Sequence, residues 1–214
     1  RAPKQMLPVG SMTMLERVVA KLGTHGVDEV VLSLGYQPDA FTSEFPDGTC
    51  GGVRLVYAVE PEPLDTAGAL AFAASAAGLD ERVLAVNGDV LTDLDVADLW
   101  RRHEQLGGEA TIALTPVEDP SRYGVVPIDA DGRVEAFIEK PDPGTAPSNW
   151  INAGTYVLEP SVLASVPREL GWPLTYSEPP CVPAVADLDG DDKLELIVGV
   201  DDGYVYDLPS GAEA

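Results

Sequence analysis

The residues best placed for chemistry are acids and lysines at the ends of apolar runs. Val83-Leu-Ala-Val86 is such a run, and Asn87-Gly88 stops it just before Asp89. A short apolar run closed by a turn signal reads as a buried strand of a parallel sheet. Ligands of open α/β sheets sit outside the carboxyl ends of the strands, so Asp89 lies where a metal-bound phosphate would be held. Gly88 lets the backbone come close to such a ligand. The same three residues also read as a plain turn. Lys4, between two prolines in Pro3-Lys-Gln-Met-Leu-Pro8, sits on a stiff extended segment. Leu64-Asp-Thr-Ala-Gly-Ala69 brings small residues to a helix start, where a planar base or a phosphate can approach the backbone. Glu139-Lys140 closes another strand, and Asn152-Ala-Gly154 opens the next. Taken singly, each except Asp89 reads as readily as a solvated charge or a packing glycine. Together they offer cations and a metal ligand for phosphate chemistry.

The elements that must carry these residues follow from periodicity. Ser11 or Thr13 caps a helix whose buried stripe is Leu15, Val18, Val19 and Leu22, ended by Gly23 and Gly26. Val27 to Leu34 reads as a strand, Pro38 to Phe45 as a short helix and Val53 to Val59 as a strand. Asp65 or Thr66 caps the alanine-rich helix 67–77, and Asp95 caps a helix through Leu106 with Val96, Leu99 and Trp100 inward. This alternation predicts a parallel, doubly wound α/β sheet. Beyond Glu109 the strand-like stretches 110–114, 123–128, 134–138 and 151–158 predict a β-rich lobe, with Asp131-Gly132 as a hairpin turn. His25 and His103 are isolated, which gives them surface or capping roles.

The chain has 214 residues and a formal net charge of −23, from 13 basic and 36 acidic side chains. Such a field repels nucleic acid. One reading of the spread of acids is adaptation to high salt; the other is simply an acidic protein. No apolar run reaches membrane-spanning length, and the amino terminus lacks a signal-peptide pattern. Lacking an initiating methionine, the chain is expected to begin inside a longer reading frame. Cys50 and Cys181 are far apart and have no metal spacing, which fits a reduced, cytoplasmic setting.

Six motifs in order resemble those of sugar-1-phosphate nucleotidyltransferases: residues 2–9, 62–69, 86–89, 123–126, 137–141 and 151–158. The resemblance is nearest to the mannose-1-phosphate guanylyltransferases, with the glucose-1-phosphate thymidylyltransferases next. It implies a Rossmann-like, doubly wound mixed sheet of the GT-A type over residues 1–168. It also implies attack by a sugar-phosphate oxygen on the α-phosphorus of a nucleoside triphosphate, with pyrophosphate leaving. Lys4 would contact the phosphates and Asp89 would hold Mg²⁺. Gln5, Asp65, Thr66, Ala67, Gly68 and Gly88 would lie by the nucleotide. Tyr123, Gly124, Glu139, Asn152 and Gly154 would line the sugar site, and Lys140 would bind the sugar's phosphate. The expected partners are the two phosphate substrates, with neither nucleic acid nor membrane; self-association is left open.

Two departures qualify this. The family's glycine-rich loop, Gly-Gly-x-Gly-Thr-Arg-Leu, and the mid-sheet strand before it do not occur in residues 1–214. Neither does its second metal-binding acid, in a Trp-x-Asp-x-Gly region. Little transferase activity is therefore expected of this polypeptide alone. Alternative readings are a nucleotide-sugar-binding regulator and a surface or adhesion protein built on a scaffold core.

Residues 169–181 read as a linker. The tail 182–214 resembles one FG-GAP or VCBS-type propeller repeat. Its Asp187, Asp189, Asp191 and Glu195 are spaced for Ca²⁺, although an acidic hairpin that binds nothing has the same pattern. A tail of this kind could be a true fusion or a misassembled reading frame.

Overall fold

The computed structural model describes residues 3–62 and 64–165, together with two short strand segments, 184–186 and 195–197. A 3₁₀ turn, Lys4–Met6, leads into the hairpin β1 (Pro8–Val9) and β2 (Met12–Thr13) and then α1 (Met14–Thr24). Thr13 is the cap: its hydroxyl accepts from the Glu16 N–H at 3.2 Å, while the Glu16 carboxylate accepts from the Thr13 N–H at 2.6 Å. This closes a capping box. Leu15, Val19 and Leu22 are buried as the spacing predicts, and Val18 is half-buried.

Strand β3 (Glu29–Leu34), helix α2 (Pro38–Glu44), strands β4 (Thr49–Cys50) and β5 (Val53–Val59), and helix α3 (Asp65–Ala77) follow. β3 and β5 pair in parallel and β4 adds to β5 antiparallel, giving a three-stranded sheet. Next come β6 (Val83–Val86), α4 (Val96–Leu106), β7 (Ala110–Pro116), β8 (Gly124–Val125), β9 (Ile138–Glu139), β10 (Trp150–Leu158) and α5 (Pro160–Ser165). β10 is the spine of a five-stranded sheet. Its one edge takes β7 and its other takes β8 and β6, all antiparallel, with β9 beyond β8.

Several expectations change here. The strands after Glu109 join the core through β10, which pairs directly with β6. The stretches 123–128 and 134–138 shorten to two-residue strands, with a single bridge from Ile128 to Val134 closing the Asp131-Gly132 hairpin. Neither Asp65 nor Thr66 caps α3: the cap position is Leu64 and no side chain serves it. His103, expected at the surface, is 1% exposed. Its Nδ1 lies 2.8 Å from Thr111 Oγ1 and its Nε2 lies 3.0 Å from Glu159 Oε1. Those partners match a ring that donates to the carboxylate and accepts from the hydroxyl.

α3 ties the two sheets together. It packs on β3 and β5, while Leu70 and Ala74 reach the cluster of Ala85, Leu158, Val162 and Leu163. Between the sheets lies a slot of about 900 Å³, walled by Val31, Ser33, Leu84 and Val86 along the strands and by Val19 and Ala74 from the helices. β11 (Ala184–Ala186) and β12 (Glu195–Ile197) pair antiparallel and bracket the acidic stretch 187–194. No helix among the described residues is long and apolar enough to cross a membrane.

Candidate active site

β6 ends at Val86, and the Asn87 N–H crosses to the Gly154 carbonyl of β10 at 2.8 Å. That bond fixes the start of the loop bearing Gly88 and Asp89. Gly154 has φ +68, and a Cβ there would sit 2.7 Å from Asn87 Nδ2, so only glycine fits both the backbone and the neighbour. Asn152 organises the same turn. Its Oδ1 accepts from the Gly154 N–H at 2.7 Å, and its Nδ2 donates to the Tyr156 hydroxyl, also at 2.7 Å. Burial pushes the Tyr156 phenol up, against the downward pull of that bond, so the hydroxyl stays protonated.

Asp89 is 39% exposed at the side chain, and Lys4 Nζ approaches its Oδ2 at 4.0 Å. A Cβ on Gly88 would lie 3.4 Å from Gln5 Cγ. What comes close to the Gly88 backbone is thus Gln5 of the same chain. The turn that carries Lys4 and Gln5 therefore lies over the carboxyl end of β6, and two sequence-distant motifs meet there.

The residues expected at the sugar site form the continuation of the same sheet. β10 pairs Ile151 with Val125, and β8 pairs Gly124 with Glu139. A Cβ on Gly124 would meet Glu139 Oε2 at 3.0 Å, so the glycine leaves room for that carboxylate. The Lys140 N–H donates to the Tyr123 carbonyl at 3.1 Å. Lys140 has φ +40, and its Nζ lies 3.7 Å from Glu139 Oε1. A left-handed backbone on a lysine is uncommon and marks a turn that aims its side chain. Tyr123, whose carbonyl accepts the Lys140 N–H, is itself exposed.

The remaining expected residues sit on the other sheet. Thr66, Ala67 and Gly68 lie in the first turn of α3, which begins beyond the carboxyl ends of β3 and β5. Their backbone N–H groups belong to a helix start without a side-chain cap, which favours an anion. Gly68 also serves packing, because a Cβ there would meet Leu64 Cβ at 3.1 Å. Only the backbone is described for Asp65 and Glu195, and Asp187, Asp189 and Asp191 lie outside the described residues.

Glu60 was missed by sequence reasoning. Its carboxylate accepts from the Ser33 hydroxyl at 3.0 Å and from the Leu64 N–H at 3.3 Å, pinning the loop that leads into α3. The signal was present: Glu60 is the acid directly after strand β5, just as Asp89 follows β6.

Among the described residues no three His, Cys, Asp or Glu side chains cluster as a metal site. The donor set here is one carboxylate with a lysine beside it. Mg²⁺ keeps several waters and is often held by one or two carboxylates plus substrate phosphates, so Asp89 fits that ion when a triphosphate completes the shell. When bound, the ion would offset charge on the phosphates.

A family model described as nucleotidyl transferase matches residues 1–180. The chain belongs to the nucleotidyl transferase family. It is 38% identical over 167 residues to a mannose-1-phosphate guanylyltransferase of Mycobacterium tuberculosis, covering 78% of this chain and 46% of that one. It is 40% identical over 165 residues to a probable mannose-1-phosphate guanylyltransferase 1 of Oryza sativa subsp. japonica, covering 75% and 45%. The chain thus spans about half the length of the curated relatives it matches. Among solved structures, HddC from Yersinia pseudotuberculosis complexed with GMP-PN superposes with a TM-score of 0.68 at 27% identity, over 82% of this chain and 78% of that one.

Proposed function

We propose that residues 1–168 form the metal- and sugar-phosphate-binding part of a sugar-1-phosphate nucleotidyltransferase acting on GTP and mannose 1-phosphate. The observation that carries this reading is the approach of Lys4 to Asp89 over the end of β6, at 4.0 Å. Lys4 would neutralise the triphosphate, Asp89 would hold an Mg²⁺ that offsets its charge, and the α3 start would receive the base. Glu139, Asn152 and Gly154 hold the sugar, and Lys140 takes its phosphate. The reaction needs charge neutralisation and in-line positioning and no covalent enzyme intermediate. The guanine and mannose preferences are taken from the relatives' names, and HddC with its guanine-nucleotide analogue is consistent with the base. The proposed setting is the cytoplasm.

A second reading is a protein that binds nucleotide sugar without turnover. Both readings predict that GDP-mannose binds to the purified chain and that Glu139→Gln and Lys140→Met weaken it, measured by isothermal titration. Turnover separates them. GDP-mannose formation by the purified chain would support the first, and binding without turnover the second. No binding at all would remove both.

We also propose residues 169–181 as a linker and 182–214 as a separate propeller-repeat-like unit binding Ca²⁺ at 187–195. The β11–β12 pairing across the acidic stretch supports the hairpin half of that idea. Calcium titration tests the rest, and no heat above background would end it.

A further inference from the structure

Helix α1 and its carboxyl cap carry Arg17, Lys21 and His25, four residues apart. At that spacing three side chains share one face of a helix and span ~12 Å along it. The buried stripe of Leu15, Val19 and Leu22 lies on the other face. Arg17 Nε donates to the Val9 carbonyl at 2.6 Å. Its guanidinium lies over Gly10, where a Cβ would meet Nη2 at 2.8 Å. Arg17 thus grips the hairpin that directly follows the Lys4 turn. The Met14 N–H adds a bond to the Leu7 carbonyl at 3.0 Å. Lys21 Nζ donates to the Thr92 carbonyl at 2.7 Å, across 71 residues of chain. His25 Nδ1 lies 3.5 Å from Asp95 Oδ1. These two contacts hold the far side of the loop whose near side is fixed by the Asn87 N–H on Gly154. The loop carries Asp89, Asp93 and Asp95, and acids so close together repel one another. A lysine in the last turn of a helix also offsets the helix dipole. That role needs no particular partner, whereas Lys21 reaches a main-chain oxygen just past Asp89.

We propose that Arg17 and Lys21 are positioning residues for the Asp89 site. Through Arg17, α1 holds the segment that presents Lys4; through Lys21, it holds the loop that presents Asp89. One rigid helix thereby sets the gap between the two groups, 4.0 Å from Lys4 Nζ to Asp89 Oδ2. Lys4 and Asp89 are both well exposed at the side chain, so their own contact is too weak to fix that gap. Both grips fall on backbone carbonyls, so they restrain the main chain and leave the site side chains free to meet a ligand. The proposal rests on the reading of Asp89 as the holder of Mg²⁺.

The test uses the purified 214-residue chain and isothermal titration of GTP with and without Mg²⁺ at fixed ionic strength. Lys21→Met keeps the apolar stem and removes the donor, and Lys21→Arg keeps a donor. Arg54→Met is the charge control, since it removes a cation at the opposite, amino end of β5. The Mg²⁺ enhancement of GTP affinity is expected to fall by at least ~threefold in Lys21→Met. That is less than the usual cost of losing an outer partner of a metal ligand, because the amine grips the main chain and not Asp89 itself. Binding without Mg²⁺ should shift no more than in Arg54→Met, and Lys21→Arg should keep the wild-type enhancement. Hydrogen exchange at the Val90 N–H, which bonds the Asn87 carbonyl at 3.2 Å, should quicken in Lys21→Met alone. Arg17→Met should weaken GTP binding with and without Mg²⁺ alike, since it loosens Lys4 and not Asp89. Equal Mg²⁺ enhancement in Lys21→Met and wild type would overturn the clamp on the loop. So would an equal loss in Arg54→Met, which would mark a general effect of charge. Unchanged GTP affinity in Arg17→Met would overturn its half of the proposal. A wild type that binds no GTP, or binds it without regard to Mg²⁺, would instead remove the Asp89 reading and this role with it.

Discussion

At the scale of single residues, Gly154 links the sugar-side strand to the Asp89 loop. Alanine there must hold φ +68 and push against Asn87 at under 3 Å. Gly154→Ala is expected to lower stability by at least ~1 kcal/mol, read as a shift in urea midpoint at constant slope. A neutral result would mean that the 87–89 loop moves freely. Glu159 offers a pH test. Its carboxyl is held below the ordinary value of 4.5, first by the hydrogen bond from Arg82 and then by that from His103. A depressed carboxylate contributes stability above its unfolded value, and that contribution fades as pH falls through the folded one. Wild-type stability should therefore drop from about pH 4.5 downward, and Glu159→Gln should flatten that slope while leaving a constant cost near neutrality. Denaturant midpoints across that range check it. Glu60 and His103 show why residues of this kind escape a sequence reading. Their partners, Ser33 and Leu64 for one, Thr111 and Glu159 for the other, are set by packing and not by spacing.

At the scale of elements, local signals were reliable where the partner is also local. Thr13, Glu16 and the Leu15, Val19, Leu22 stripe define α1 from sequence, and the structure chooses Thr13 over Ser11 as the cap. Thr13→Ala should cost ~1 kcal/mol, and Ser11→Ala, exposed and outside the box, should cost almost nothing. Thermal melting of both variants decides; equal losses would contradict the capping geometry. Val53–Val59 was legible from its alternation, and Val83–Val86 from an apolar run bounded by turn residues. The start of α3 was not. Two acceptable caps, Asp65 and Thr66, stand in the sequence, but Glu60 holds the Leu64 N–H and starts the helix earlier. β8 and β9 are also shorter than their patterns, because their length depends on which strand lies alongside.

At the scale of the whole molecule, the placement of β10 beside β6 was illegible, since it joins residues 83–86 to 155–158 across most of the domain. Rhythm along the chain predicts classes of element and says little about such distant pairings. The candidate site depends on that pairing, which sets Asn152 and Gly154 beside the Asp89 loop. The motifs named the residues, and the sheet explains why they meet. Charge acts at this scale too. With a net −23, self-repulsion is expected to weaken the fold at low salt. Raising ionic strength from ~0.1 M to ~1 M shortens the screening length from ~10 to ~3 Å and should raise the melting temperature by at least ~2 °C. A flat salt series would mean that the acids are already well separated.

Asp89 is proposed to carry a divalent ion to a phosphate that Lys4 shares. The most direct measurement is GTP affinity of the purified chain with and without Mg²⁺, for the wild type and for Asp89→Asn. Mg²⁺ is expected to tighten wild-type binding by at least tenfold and to have no effect on the variant. Equal enhancement by Mg²⁺ in both proteins would contradict it.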